Sequence, residues 1–352
     1  MSDASGRVDA IRLTEFLTDL YAAAGLPAAD AASCAAQTVD AELRGVASHG
    51  CVRVAVFVER LRRGTINPTP DVRVVRELPG YALLDGDRGM SAVGGRRAMA
   101  SAMAKASANG IGAAGVRRVS HTGHVGWFAA MALERRMIGI VASSAAANLA
   151  PWGGAERLLG NNPIAFAIPS DEPYSLVFDM ATSKVARGYV LLAAKTGDAI
   201  PDGWALDADG RPTTDAWRAV AGTMLPLGEH KGAGLALVLE LLTNALTGGL
   251  SEAERPDWLA TDRDFVLSML CIAIDPQAAL GPEFASIVSG VVGRLKASRL
   301  AEGFDEVRMP GEASARRARE SATRGIALAP VLVGELDALA TALGVRPLGV
   351  AS

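Results

Sequence analysis

The sequence predicts an α/β fold other than the common dinucleotide-binding βαβ arrangement, and three observations carry that reading. Residues 10–64 show helical period alone. After Tyr81, short apolar runs of strand character alternate with longer helical segments. No GxGxxG fingerprint follows a strand-like run, and there is no Walker A loop.

The elements follow in order. Ile11, Leu13, Phe16, Leu17 and Leu20 place a helix over 10–24. Ala32, Cys34, Ala35 and Val39 place a second over 28–44, with Pro27 at its first turn. Ser48 is positioned to cap a third helix through Val52, Val54, Phe57, Val58 and Leu61, which ends at Gly64. Pro68 and Pro70 then mark a linker. YALLD at 81–85 reads as a strand, Ser91–Ala108 as an Ala-rich helix, and GIGAAGVRRV at 110–119 as a glycine-interrupted strand. Gly126–Arg136 returns to helix and MIGIVASSA at 137–145 is a third strand. Beyond the Gly-rich PWGGAERLLGNNP, AFAIP and SLVFDMA are two more. Residues 197–215 hold three Gly, two Pro and five Asp, the composition of a functional loop. Helical spacing resumes over 231–247, from Phe284 to Leu295, and from Val331 to Leu343.

Composition removes several classes. A chain of 352 residues, 50% hydrophobic, buries a large core and exceeds the usual single-domain size, so two or three subdomains are expected. Lys plus Arg number 35 against 38 Asp plus Glu, with no long basic run, so nucleic acid is not an expected partner. The longest apolar stretches, Gly232–Leu242 and Val266–Ile274, are far shorter than the roughly 20 residues that span a bilayer, and no membrane association is expected. The start MSDASGRVDAIRL lacks an export signal, which points to the cytoplasm. Cys34, Cys51 and Cys271 form no CxxC pair and read as reduced core residues; no metal site is expected.

Hydride transfer to a carbonyl needs a nicotinamide site, a proton donor and a cation for the substrate carboxylate. All four histidines lie near glycine or cationic residues: His49, His121, His124 and His230. With Ser48 as cap, His49 and Arg53 project four residues apart from one face of a helix start, pairing an acid with an anion anchor. A capping histidine beside a solvent-facing arginine fits the same spacing. His121 closes a glycine-bounded turn, and a backbone-bonded turn histidine fits there equally; nothing in the sequence converges on His124. Lys231 and Gly232 open an apolar helix where amides and a cation face a phosphate, or they simply start a helix. Asp179, at a strand end, is placed to bond ribose, orient a histidine or cap a turn. Pro310, Gly311 and Glu312 are placed for close backbone approach to a ligand or for an ordinary turn.

Taken together, ELRGVASHGCVR at 42–53, SHTGHVGW at 120–127, APWGG at 150–154, GNNPIAFAIP at 160–169, DMATS at 179–183, GWALDADGRPTTD at 203–215, PLGEHKGAGLAL at 226–237 and MPGE at 309–312 resemble, in order, the type 2 malate/L-lactate dehydrogenase family. The resemblance implies a non-Rossmann α/β fold with a largely antiparallel central sheet, surrounding helices, a helical segment from both chain ends, and a homodimer. It divides the chain into a helical dimerisation unit (1–75 plus 320–352), a cofactor-binding α/β unit (76–225 plus 268–319) and a small helical segment (226–267). It implies an NAD- or NADP-dependent reductase of a small 2-oxo or 2-imino acid. His49 would donate the proton, Arg53 would bind the carboxylate, and His121 would be a second acid/base or orienting group. Asn161, Asp179, Ala181, Thr182, Ser183, Lys231, Gly232, Pro310, Gly311 and Glu312 would line the cofactor.

The chain departs from the family pattern at Asn161 (usually Thr), Tyr189 (often Lys), Ala233 (Tyr), Arg118 (Asn) and Lys184, which leaves pocket size and coenzyme preference open. The alternatives are a ketimine reductase acting on the C=N bond of a cyclic imino acid, and a catalytically silent dinucleotide-binding homologue. Retention of His49, Arg53 and His121 together argues against the second.

Overall fold

The computed structural model describes residues 6–250 and 256–349. Residues 1–5 of the amino-terminal stretch and 251–255 of the 226–267 segment lie outside the described residues. The helices that matter to the site are α1 (Ala10–Ala23), α2 (Ala28–Leu43), α3 (Val54–Arg63), α4 (Ser91–Asn109), α5 (Gly126–Ala130), α6 (Arg187–Thr196), α7 (His230–Glu240), α8 (Phe284–Lys296), α9 (Glu312–Arg324) and α10 (Pro330–Ala342). The main sheet contains β1 (Arg73–Glu77), β2 (Tyr81–Gly89), β3 (Ile111–Val119), β4 (Ile138–Ser143), β5 (Ile164–Ile168), β6 (Leu176–Met180) and β7 (Leu267–Ile274), in the order β1-β2-β3-β7-β4-β5-β6.

The sheet is mixed: β2 and β3 run parallel, and the other neighbouring pairs among the described residues are antiparallel. Its centre is β7, whose run LSMLCIAI alternates nothing because both of its faces are covered. The apolar stretch noted at 266–274 is therefore this strand. Edge strand β1 occupies the expected linker, with all five residues exposed. The GIGAAG run at 110–115 spells a dinucleotide fingerprint but leads from the end of α4 into β3 and forms the first half of that strand, so no helix N-terminus faces a phosphate there.

The Ala-rich α4 lies against β2, β3 and β7, and α5 against β4 and β5, closing a core that extends into α1, α2 and α3. A four-stranded patch of short strands, 205–206, 223–224, 147–149 and 159–160, has its own small core with α6, where the sequence showed only turn residues. Near the two chain ends, Arg7–Val8 pairs with Ile326–Ala327, and α10 packs on α3. All three cysteines are buried and free. No helix among the described residues is long and apolar enough to cross a membrane.

The third helix departs from expectation. Ser48 caps nothing: residues 47–49 and 51–53 form two 3-10 turns, and α3 begins at Val54. Glu42, at the end of α2, is the reason. Its buried Oε1 accepts from the Cys51 N–H at 2.7 Å and holds the chain in the turns.

Candidate active site

The two turns present His49 and Arg53 together. His49 Nδ1 lies 2.9 Å from Ser48 Oγ, and Arg53 Nε donates to the Ser48 carbonyl at 2.8 Å. His121 follows β3 and arrives from the other side, its ring centroid 5.9 Å from that of His49. His121 Nδ1 accepts from the Gly123 N–H at 3.1 Å, so the neutral ring carries its proton on Nε2. The three residues chosen from sequence thus converge. Trp258 closes the group, 4.7 Å from His121 and 5.0 Å from the Arg53 Cζ, with Phe57 edge-on at 5.5 Å. Neither aromatic was singled out in the sequence, because neither stands in a motif and Trp258 lies in a segment without regular structure.

Charge sets the character of this cluster. Burial, reinforced by the Arg53 charge and then by His124, pushes His49 down to about 4. Burial and the same guanidinium hold His121 well below the usual histidine range. Arg53 meets no carboxylate within ion-pairing distance among the described residues: its Nε bonds a carbonyl and its terminal nitrogens remain for an anion. His124 behaves oppositely. Burial lowers it, but Asp40 Oδ2 at 3.0 Å and Asp179 Oδ2 at 3.8 Å more than offset that, and its pKa is raised. Asp179 also accepts from the Gly126 N–H at 2.8 Å, so this carboxylate ties β6 to α5 and orients a histidine that the sequence left aside.

The remaining residues lie along and beyond β6. Thr182 N–H donates to the Asn161 carbonyl at 3.3 Å, and the Leu227 N–H to the Thr182 carbonyl at 2.8 Å, joining 161, 181–183 and the start of α7. Asn161 and Asn148 exchange side-chain and backbone bonds at 3.0 and 3.1 Å. Ser183 pairs with Pro226 in an isolated bridge. Gly232 is buried, and any Cβ there would enter the Leu227 carbonyl, while the neighbouring Lys231 is exposed. Pro310 accepts from the Val177 N–H at 3.4 Å, and Gly311 has φ +82 with its Cβ position 2.7 Å from the Val177 oxygen.

Glu312 holds this loop. It accepts from Met309 N–H at 3.0 Å and pairs with Lys296 and Arg316; burial raises its pKa, but Lys296 and the Met309 amide push it down to about 2. Beside it a cavity of about 280 Å³ is lined by Arg44, Tyr174, Val177, Gly311, Ala315 and Arg319. Strand β6 therefore runs from the cavity at Val177, past His124 at Asp179, toward Thr182. Of the departures from pattern, Tyr189 is 62% exposed on α6 and Ala233 is buried on α7.

A family model described as malate/L-lactate dehydrogenase matches residues 8–337. The chain belongs to that family. Within it, L-sulfolactate dehydrogenase of Methanocaldococcus jannaschii is 39% identical over 308 residues, covering 86% of this chain and 87% of that one. The solved sulfolactate dehydrogenase structure from the same organism superposes with a TM-score of 0.91 at 35% identity, over 97% of this chain and 98% of that one. Ureidoglycolate dehydrogenase (NAD(+)) of Escherichia coli O157:H7 is 34% identical over 89% of this chain and 90% of its own. A Δ1-piperideine-2-carboxylate reductase structure from Pseudomonas syringae gives 0.87 at 27% identity, over 95% and 99%. This malate/L-lactate dehydrogenase family member is accordingly an oxidoreductase with an α/β fold.

Proposed function

We propose that this protein is an NAD(P)H-dependent reductase interconverting a small 2-oxo acid and its 2-hydroxy acid, with His49 as proton donor and Arg53 as carboxylate anchor. One observation carries the reading: a largely enclosed guanidinium that has no carboxylate partner among the described residues stands beside two histidines of lowered pKa. The substrate carboxylate bonds the two terminal nitrogens of Arg53, which brings its C2 oxygen to the histidine pair. His121, through Nε2–H, donates a hydrogen bond to that oxygen as charge develops. His49, whose Nδ1 faces Ser48, delivers the proton from Nε2 once the bound carboxylate has neutralised the Arg53 field.

The residues present fit a nicotinamide dinucleotide. Thr182 Oγ1, just beyond the end of β6, is buried without a hydrogen-bond partner among the described residues, and a cavity with two arginines opens at the other end. The five steps from Val177 to Thr182 span about 17 Å at ~3.3 Å each, a length suited to an elongated ligand. Thr182, Asn161, Ala181, Ser183, Lys231 and Gly232 would hold the nicotinamide half, and Pro310, Gly311 and Glu312 would shape the other. A bound nicotinamide would supply the reducing equivalent. The NAD(+) in the ureidoglycolate relative's name supports this class of coenzyme.

A ketimine reductase is the second reading, favoured by the likeness to the piperideine-carboxylate enzyme, since the same anchor and acid serve a C=N bond. The protein is further proposed to work in the cytoplasm as a homodimer, with the 1–75 and 320–352 segments forming the helical dimerisation unit. The deciding experiment follows NADH and NADPH oxidation against a panel of 2-oxo acids and cyclic imino acids. Substrate-dependent oxidation abolished by His49→Ala is expected. Coenzyme binding without turnover of any panel member would instead support a silent homologue.

A further inference from the structure

Resting on that reading of Arg53, we propose that Trp258 is a positioning residue for the carboxylate anchor, fixed in place by a clamp from Arg60. The side chain of Arg60 is 1% exposed and, among the described residues, meets no carboxylate within ion-pairing distance; its terminal nitrogens donate to the carbonyls of Trp258 and Ala260 at 2.7 Å and of Arg263 at 2.9 Å. A buried guanidinium whose two terminal nitrogens donate to three carbonyls of one segment makes the path of 258–263 rigid, because losing any of them leaves a buried charged donor unpaired. Arg60 Cζ also lies 5.8 Å from the Trp258 ring and 5.5 Å from that of Phe265.

The indole so fixed is 8% exposed and has Arg53 Cζ 5.0 Å from its centroid. Among the described residues Arg53 is otherwise held by one bond, from Nε to the Ser48 carbonyl, which leaves rotation of the planar head to be set by what it stacks on. Phe57 and His121 pack against the same ring, so it cannot turn aside. The anchor is thereby built from two chain regions: the 3-10 turns deliver the guanidinium, and the segment after residue 255 orients it.

The test measures the best panel substrate, oxamate as a dead-end carboxylate probe, and NADH affinity by fluorescence. Trp258→Leu should raise KM and the oxamate inhibition constant together by about tenfold, with kcat and NADH affinity within about twofold of wild type. Trp258→Phe, which retains a ring face, should stay within about threefold of wild type on all four. Trp258→Met takes the place of the leucine variant should that one fail to fold. Unchanged KM and oxamate inhibition in the Leu or Met variant, or a fall in kcat at constant KM, overturns the proposal while leaving Arg53 as the anchor. Wild-type protein that neither reduces a panel member nor binds oxamate removes Arg53 as the anchor, and the proposal with it.

Discussion

His49 shows how far neighbours move a side chain's chemistry. Its imidazole is pushed down to about 4 by burial first and by Arg53 next, so in the free protein it is neutral well below the ordinary histidine value of about 6.5. A group with a lowered pKa serves as a base across the whole range above it. For oxidation of a 2-hydroxy acid, kcat/KM should accordingly hold as the pH is lowered through 6.5 and decline only toward about 4. A pH profile that bends at 6.5 or above would contradict this assignment. Arg118 is the second residue-scale case. It occupies the left-handed region at φ 55, a conformation asparagine adopts at less cost than arginine, and it bonds Asp85 at 3.1 Å. Asp85 keeps a second cation in Arg117 at 3.3 Å, and the Arg118 side chain is 39% exposed, so losing that pair costs little. Relief of backbone strain wins, and Arg118→Asn should leave stability unchanged or raise it by up to about 1 kcal/mol in a denaturant melt. A loss larger than that would show the ion pair dominating. The sequence displayed the departure at 118 but not its meaning, since Arg118 sits in the irregularity of β3 where its pairing with β7 shifts register between Val116 and Val119.

At the scale of elements, the site depends on how segments are pinned to one another. Glu42 reaches from α2 to the Cys51 amide and so fixes both turns that carry His49 and Arg53. Glu42→Ala leaves that amide buried without an acceptor, and a loss of about 1–3 kcal/mol is expected in equilibrium unfolding. The kcat/KM should fall with it, and Glu42→Gln, which keeps an acceptor oxygen, should recover most of both. Equal damage from the two variants would mean that the negative charge matters rather than the bond. The sequence correctly placed His49 and Arg53 near one another by spacing, yet through the wrong device. A helix capped by Ser48 is the local solution, and a carboxylate from the preceding helix overrides it. His124 was undervalued for a similar reason: Asp40 and Asp179, its partners, come from α2 and β6, and no spacing in the sequence aligns them.

For the whole molecule, a band of exposed apolar side chains on α7 and its continuation, Leu237, Val238, Leu241, Leu242 and Leu246, is larger than scattered surface leucines produce. This band lies in the 226–267 segment, outside the proposed dimerisation unit, and sedimentation equilibrium of the proposed homodimer is expected to return twice the 36.3 kDa chain mass. A monomer at micromolar concentration would sink that expectation. Period and punctuation in the sequence determined the α/β class, most of the long helices, and the absence of a strand-to-helix glycine fingerprint, because these are local patterns that each segment carries by itself. The ordered motifs determined the family and singled out His49, Arg53 and His121. The tertiary structure alone decided that β7 is the centre of a mixed sheet, that 3-10 turns carry the first two of those residues, and that Trp258, Phe57 and His124 complete their surroundings. Those contacts join side chains far apart in the chain, and the burial that sets their charge states exists only once the segments have packed.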